Sequence, residues 1–417
     1  MTPEQKGMLL LVALRLIAIF TLVMVSVAYA TLLERKVSAW MQDRLGPNRV
    51  GPRGLLQPVA DGLKNIIKEE TMPGAANKVL FVLAPGIAFC TALMLAGVIP
   101  LAAPLPLDFD VVLPLIGRVV YHGPMTMSIA DLPVGFLYII AISSLGVYGI
   151  ALAGWSSNSK YSLLGGLRAA AQLVSYEVAM GLSLVPVLLL SGNVAFGQII
   201  ADQQQGLWYV LPLPVAFFIF LVSGFAETNR APFDLPEAES ELVAGYHAEY
   251  SAMKFSMFFI AEYANLITLS MMCTTLFFGG WDIPFTHWDE RGGVLQTLVT
   301  FAVFGLKTFA FVFLIMWVRW TLPRFRYDQL MALGWKVMMP MALVYLSVIT
   351  GAIYVTERVL HITAAVPRML MLTAVSAVAA AVIFVVLDRG LVISGAYRRH
   401  GPSVPSPARA PRRAMVR

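Results

Sequence analysis

Nine stretches of this chain are too long and too apolar for a water-soluble fold: Met8–Ala30, Val79–Ala102, Leu132–Trp155, Ala169–Ser191, Leu207–Ala226, Phe255–Gly280, Leu295–Val318, Val337–Thr356 and Met369–Leu387. Each holds at most one charged residue. At 1.5 Å per residue, about 20 helical residues cross the roughly 30 Å of hydrocarbon in a bilayer. Backbone amides find no water there, so only helices or a closed barrel satisfy them. Barrel strands alternate polar and apolar residues. These runs are continuous, and the expected fold is all-α, a polytopic bundle of about nine transmembrane spans. Composition agrees: 13% of the residues are charged, against about 25% in soluble domains. A disordered chain, a coiled coil and a free nucleic-acid binder are excluded on the same ground. The first run ends in the small-residue string Ser26–Ala30, as a cleaved leader does. It is longer than a leader's apolar core and Glu4 precedes it, so it reads as a retained span.

With the N-terminus outside and the spans alternating, most of the 30 lysines and arginines fall on the inside. Among those beyond the spans, Lys6, Arg118, Arg291, Arg358 and Arg368 are the exceptions. The net charge of +6 is therefore a signature of orientation. An odd number of spans puts the C-terminal tail inside. Its Pro, Ser, Ala and Arg content predicts disorder beside anionic headgroups. Cys90 and Cys273 both lie within spans, no CxxC occurs, and the five histidines are scattered. No metal site is expected, and no nucleotide-binding loop is found. Any redox chemistry belongs to other chains.

Three inside segments depart from connector composition. Glu34–Lys78 opens with Glu34, Arg35 and Lys36 and continues through a Gly- and Pro-rich basic loop. Leu56, Val59, Leu63, Ile66 and Ile67 then recur at helical spacing, opposite Asp61, Lys64, Asn65 and Lys68. Such an amphipathic helix lies in the membrane interface. It suits headgroup binding, or an entrance where Arg35, Arg44 and Lys64 meet the polar head of a lipid-soluble ligand. Ala226–Tyr250 holds Glu227, Asp234, Glu237, Glu239, Glu241 and Glu249 against one cation, Arg230, with Pro232 and Pro236 breaking helices. Apolar residues, Phe233 among them, are interleaved with these acids. Crowded acids in a poorly hydrated place cannot all ionise. A solvated acidic loop is the plainer reading, and the DxDxDG pattern of a calcium loop is absent. The third segment, Thr321–Met331, carries Arg324, Arg326 and Asp328 just after Arg319. It suits anchoring to headgroups, or ion pairing with the acidic run or an inside partner.

Charges within spans are costly unless paired or hydrated, and they often belong to ion or proton relays. Glu177 and Glu262 read as relay members. The plainer alternative is a lock between helices, such as a Glu177–Lys307 pair. Arg15 and Lys307 fit either use.

The strings ERKVSAWMQDRLGPNRVGPRGLLQPVADGLK, SLLGGLRAAAQLVSYE, AETNRAPFDLPEAESELVAGYHAEY and PRFRYDQLM together resemble the heel subunit of proton-pumping NADH:quinone oxidoreductase, respiratory complex I. The likeness runs from the first span to about Thr356. It implies a membrane subunit of a translocase that carries no redox centre. Quinone would be its substrate, and FMN and iron–sulfur clusters would sit in partner subunits. The protein would be a multi-pass component of a bacterial cell membrane, among peripheral-arm and small membrane-arm subunits and lipids. Glu34, Arg35, Arg44, Asp61, Lys64 and Phe233 match positions at the quinone and its entrance. Glu227, Asp234, Glu237, Glu239 and Glu241 match the start of a proton path, continued by Glu177, Glu249 and Glu262. Arg230, Arg319, Arg324, Arg326 and Asp328 match inside-face ion pairs. The family has eight spans, so residues 1–356 form the family-like domain, 357–388 an additional ninth span and 389–417 a basic tail. A membrane subunit of a related hydrogenase or ferredoxin-linked complex, and a stand-alone ion transporter, are the alternatives.

Overall fold

The computed structural model describes residues 2–114, 117–235, 243–284, 286, 288, 292–362 and 364–397. Glu237, Glu239, Glu241 and the basic tail beyond residue 397 lie outside the described residues.

Helix α1 (Pro3–Met41) starts on a capping box, in which Thr2 and Gln5 satisfy each other's end groups. It runs far beyond the first apolar run, so Glu34, Arg35 and Lys36 ride on its last turns rather than in a loop. Helix α2 (Gln57–Ile67) is the expected interfacial helix. Its apolar stripe is uncovered, with Ile66 67% and Ile67 82% exposed, as a helix facing lipid requires. Helices α3 (Lys78–Ala96) and α4 (Gly135–Ser156) pack together. Between them lies an antiparallel hairpin, β1 (Leu105–Leu113) and β2 (Gly117–Met125). This hairpin is a departure from an all-helical chain. Phe109 stacks on Tyr121 across it, Arg118 pairs with Asp110 at 2.5 Å, and β2 packs on α1. Arg15 reaches the strand's exit and donates to the Thr126 and Ser128 carbonyls at 3.1 Å.

Helix α5 (Lys160–Ser191) ends on Gly192 in the left-handed region, at φ 64°. The fifth apolar run is not one long helix. Residues 206–213 are turns and extended chain. Helix α6 (Phe196–Gln205) precedes them, and helix α7 (Pro214–Glu227) begins where Pro214 tolerates a missing N–H. The 14 residues of α7 span about 21 Å. Helices α8 (Ala252–Phe277), α9 (Val294–Thr321), α10 (Tyr327–Val359) and α11 (Ala365–Tyr397) complete the bundle. Among the described residues eight helices are long and apolar enough to cross a membrane, with α7 as a shorter apolar helix. Two π-turns interrupt α10, at Leu333–Met338 and Val355–Val359. Tyr176 of α5 donates to the Leu330 carbonyl at 2.9 Å, beside the first of them.

Helix α8 forms the centre of the bundle: it packs on α3, α9, α1 and α6, and most of its residues are buried. Close approach around α5 depends on glycine. A Cβ on Gly165 would lie 2.6 Å from the Gly245 Cα, and one on Gly154 2.6 Å from the Ser162 carbonyl oxygen. That tight fit seats the turn at Gly245–His247 against α5, next to the acidic run.

Candidate functional site

The densest polar cluster is built around Arg230, in the turn that follows α7. Its side chain is 1% exposed. Nη1 donates to Glu34 of α1 at 2.5 Å, and Nε lies 2.8 Å from Glu262 of α8. The second contact is ionic; its N–H does not point squarely at the oxygen, and among the described residues Nη2 also lacks a hydrogen-bond acceptor. Tyr263 donates to Glu34 at 2.7 Å, and its ring lies under the guanidinium, 4.1 Å from centroid to Cζ. Arg319, in the last turn of α9, also donates to Glu34. Glu34, Arg230, Glu262 and Arg319 thus join α1, α8, α9 and the turn after α7.

Gln172 of α5 holds that turn in place. Its amide donates to the carbonyl oxygens of Ala226 at 2.8 Å and Phe233 at 2.9 Å, and to Asn229 Oδ1 at 3.2 Å. Phe233 is buried between Tyr176 and Phe325. Asp234, at the edge of the cluster, accepts from Arg324 at 3.0 Å. Burial pushes its carboxyl above the usual range; the Arg324 and Arg319 charges oppose this without cancelling it.

Two cavities adjoin the cluster. One, of about 120 Å³, is lined by Arg230, Asp234, His247, Glu262 and Arg319 among others. The second, of about 60 Å³, is lined by Thr91, Ser143, Glu177, Glu227, Glu262 and Asn265 among others. Both exceed the ~10–15 Å³ that one water needs, and both offer polar partners. Glu262, Asn229, Tyr246 and Phe258 line both. Glu177 accepts from Ser144 of α4. The Glu177–Lys307 lock is not formed. Lys307 instead donates to the carbonyl oxygens of Phe278, Gly280 and Asp282, at 2.8, 3.1 and 2.7 Å, and so caps the C-terminus of α8.

A separate cluster stands at the C-terminal end of α1. Arg35 donates to Asp61 of α2 at 2.6 Å, Lys64 lies 3.6 Å from the same carboxylate, and Gln57 donates to it at 3.2 Å. Partial burial raises the Asp61 carboxyl, but Arg35 and Gln57 outweigh it and hold the group below the usual range. An apolar cavity of about 520 Å³ opens nearby between α1, α8 and α9, with Lys36 and Leu55 at its rim. Arg44 does not join this cluster; it donates to Gln42 at 2.7 Å. Glu249 lies part-exposed beside Tyr250, which stacks on Phe81 at 4.0 Å. Arg326 and Asp328 are exposed at the start of α10, where the Arg326 N–H donates to Gln329.

The structure therefore brings together Glu34, Arg230, Asp234, Glu262, Arg319 and Arg324, and places Glu177 and Glu227 on the adjoining cavity. It separates Glu34 from the Arg35–Asp61–Lys64 group, although residues 34 and 35 are neighbours, because they leave α1 on different faces. Sequence reasoning missed Tyr263 and Gln172. Each is a polar residue in an apolar run, beside Glu262 or five residues before Glu177, and that placement was the available signal.

Fold and cluster define a class: a multi-pass helical membrane protein with a buried carboxylate–arginine network flanked by small polar cavities. Residues 14–350 match the NADH dehydrogenase family, and the chain belongs to that family. It is 48% identical over 338 residues to an NADH-quinone oxidoreductase H subunit of Cytophaga hutchinsonii, covering 80% of this chain and 94% of that protein. It is 51% identical over 343 residues to an H subunit of Koribacter versatilis, covering 81% and 95%. It is 50% identical over 332 residues to the H subunit of Leptospira biflexa, covering 79% and 91%.

Arg230→Met would leave Glu34 and Glu262 buried without their shared counter-charge. It is expected to destabilise the protein by about 3–5 kcal/mol, read as lost assembled protein or a lowered melting temperature; wild-type values for both would refute the pairing. Burial pushes the His247 imidazole down from 6.5 to about 4. The unfolded chain then binds a proton more readily than the folded one, so stability held by the neutral ring is full above 6.5 and is lost as pH falls through about 4. His247→Asn should flatten the fall of melting temperature across that window, and equal slopes for variant and wild type would argue against it.

Proposed function

We propose that this chain is the quinone-facing membrane subunit of a proton-pumping NADH:quinone oxidoreductase in a bacterial cell membrane. Its N-terminus lies outside and its C-terminus in the cytoplasm. It holds no redox centre. Electrons arrive from peripheral-arm partners that carry FMN and iron–sulfur clusters, and small membrane-arm subunits flank it. Quinone takes two electrons and two protons to become quinol. The headgroup enters past Arg35, Asp61 and Lys64 at the α1–α2 junction, and its tail follows the apolar cavity between α1, α8 and α9. Arg44 and Phe233 belong to this quinone-facing side.

The observation that carries the reading is Arg230, held between Glu34 and Glu262 at the wall of a cavity, with Glu262 also lining the one that meets Glu177 and Glu227. A proton or negative charge gained on the quinone side changes the charge that Arg319 and Arg324 see at Glu34 and Asp234. Arg230 then rebalances between its two carboxylates. Glu262 passes the change to Glu227 and Glu177 through water in the shared cavity. Glu237, Glu239, Glu241 and Glu249 extend the acidic side of this path. Arg326 and Asp328 meet an inside partner.

Glu227→Gln in the assembled enzyme should lower the protons moved per quinone reduced; if turnover and that ratio both stay at wild-type levels, the coupling role is wrong. Arg35→Ala should raise the apparent KM for quinone more than it lowers kcat, and unchanged kinetics in normally assembled enzyme would remove the entrance from the proposal.

A further inference from the structure

Helix α11 lies beyond residue 350, where the match to the family ends. A span added to a finished bundle would need no polar contact with it. This one makes several, through Arg368, Met369 and Ser376. Arg368, at its N-terminal end, lies 3.7 Å from Asp202 of α6 and donates to Glu357 of α10 at 3.2 Å. The Met369 sulfur is 2.9 Å from the Leu207 amide nitrogen, which donates to it. Ser376 donates to the Pro212 carbonyl oxygen at 2.6 Å and meets the Tyr345 hydroxyl at 3.0 Å. Met369, Leu372 and Ser376 are fully buried.

Two of them, at Met369 and Ser376, fall on residues 206–213, the non-helical piece of the fifth apolar run. Helix α7 is about 9 Å too short for a roughly 30 Å hydrocarbon layer, so this piece must make up the difference. Irregular backbone at that depth persists only where protein supplies its hydrogen-bond partners. Residues within reach supply most of them: Val210 donates to the Phe277 carbonyl at 2.9 Å, Leu213 to that of Tyr209 at 2.9 Å, and Tyr209 to Gln203 Oε1 at 3.2 Å. The Leu207 N–H and the Pro212 carbonyl are met by α11.

We propose that Ser376 and Met369 are positioning residues: α11 is a strap that fixes the outer end of α7, and thereby the placement of Glu227 at its inner end. A 14-residue helix moves as a rod, so slack at Pro212 reaches Glu227. The Gln172 amide holds the inner end by the Ala226 carbonyl, which leaves tilt as the motion that Ser376 restrains. This inference rests on the carboxylate path proposed above.

The test is a series at one position in the assembled membrane enzyme: Ser376→Thr, Ser376→Cys and Ser376→Ala, with Glu227→Gln alongside. Quinone turnover, proton translocation and the pH profile of turnover are measured for each. The strap predicts that Thr, which keeps the hydroxyl, matches wild type. Cys should fall between, and Ala should lower the protons moved per quinone reduced by about twofold and shift the pH profile. A general folding defect would lower turnover and translocation in proportion and leave the profile in place, and that result overturns the proposal. If Ser376→Ala fails to assemble, the order of Thr and Cys still decides. If Glu227→Gln uncouples while the Ser376 series is silent, the strap alone is wrong. If both are silent, the carboxylate path falls with it.

Discussion

One guanidinium shared by two buried carboxylates governs this structure. Removing Arg230, Glu34 and Glu262 from water is expensive for each ion separately, and their attraction compensates only if the geometry is held. Arg suits the place better than Lys, because a planar fork reaches two acids at once and stays protonated. Holding that fork requires α1, α8, α9 and the turn after α7 to meet at one point. The centre of the bundle is therefore organised by charge as much as by shape. In lipid this matters more than in water, since apolar burial hardly distinguishes one helix packing from another.

The same cluster is incompletely satisfied, and that separates it from a lock. Two nitrogens of Arg230 have no aligned acceptor among the described residues, and Glu262 lines two cavities large enough for water. A lock would close those gaps, as Lys307 does on three carbonyls. Glu262 faces Arg230 on one side and the Glu177–Glu227 cavity on the other. In the proposed path, a change of charge at Glu34 would reach Glu227 through this short chain of groups and the cavities beside them.

Most of the architecture was legible in the apolar runs, because a backbone in hydrocarbon has so few alternatives. The interfacial helix was legible from Leu56, Val59, Leu63, Ile66 and Ile67, whose spacing has meaning without any tertiary partner. The hairpin at 105–125 was not, since it lies between apolar runs and its pairing depends on register across the turn. The short α7 was not legible either: a hydropathy pattern cannot tell a straight span from a bent one. At the site, sequence found the acids but not their arrangement. Glu34 and Arg35 are adjacent in the chain yet serve different clusters. Arg230 was marked as a lone cation in an acidic run, while its partners lie on α1 and α8, far off in sequence. The locking role of Lys307 was invisible because its acceptors are backbone atoms.

A relay inside a membrane faces a conflict between polarity and stability. The acids must stay responsive, so they cannot all be tied down, yet each loose polar group favours rearrangement of the helices that carry it. This chain separates the two demands in space. The carboxylates of the proposed relay collect around Arg230 and its cavities. A second set of hydrogen bonds goes to backbone atoms: Gln172 on the turn, Tyr176 on α10, and Ser376 on the irregular start of α7. Those contacts meet backbone atoms, whose charge does not change with pH. They hold in place the helices and the turn that carry the carboxylates of the proposed relay. Stability supplied by titrating groups would instead vary with each turnover, and the geometry that the relay depends on would vary with it.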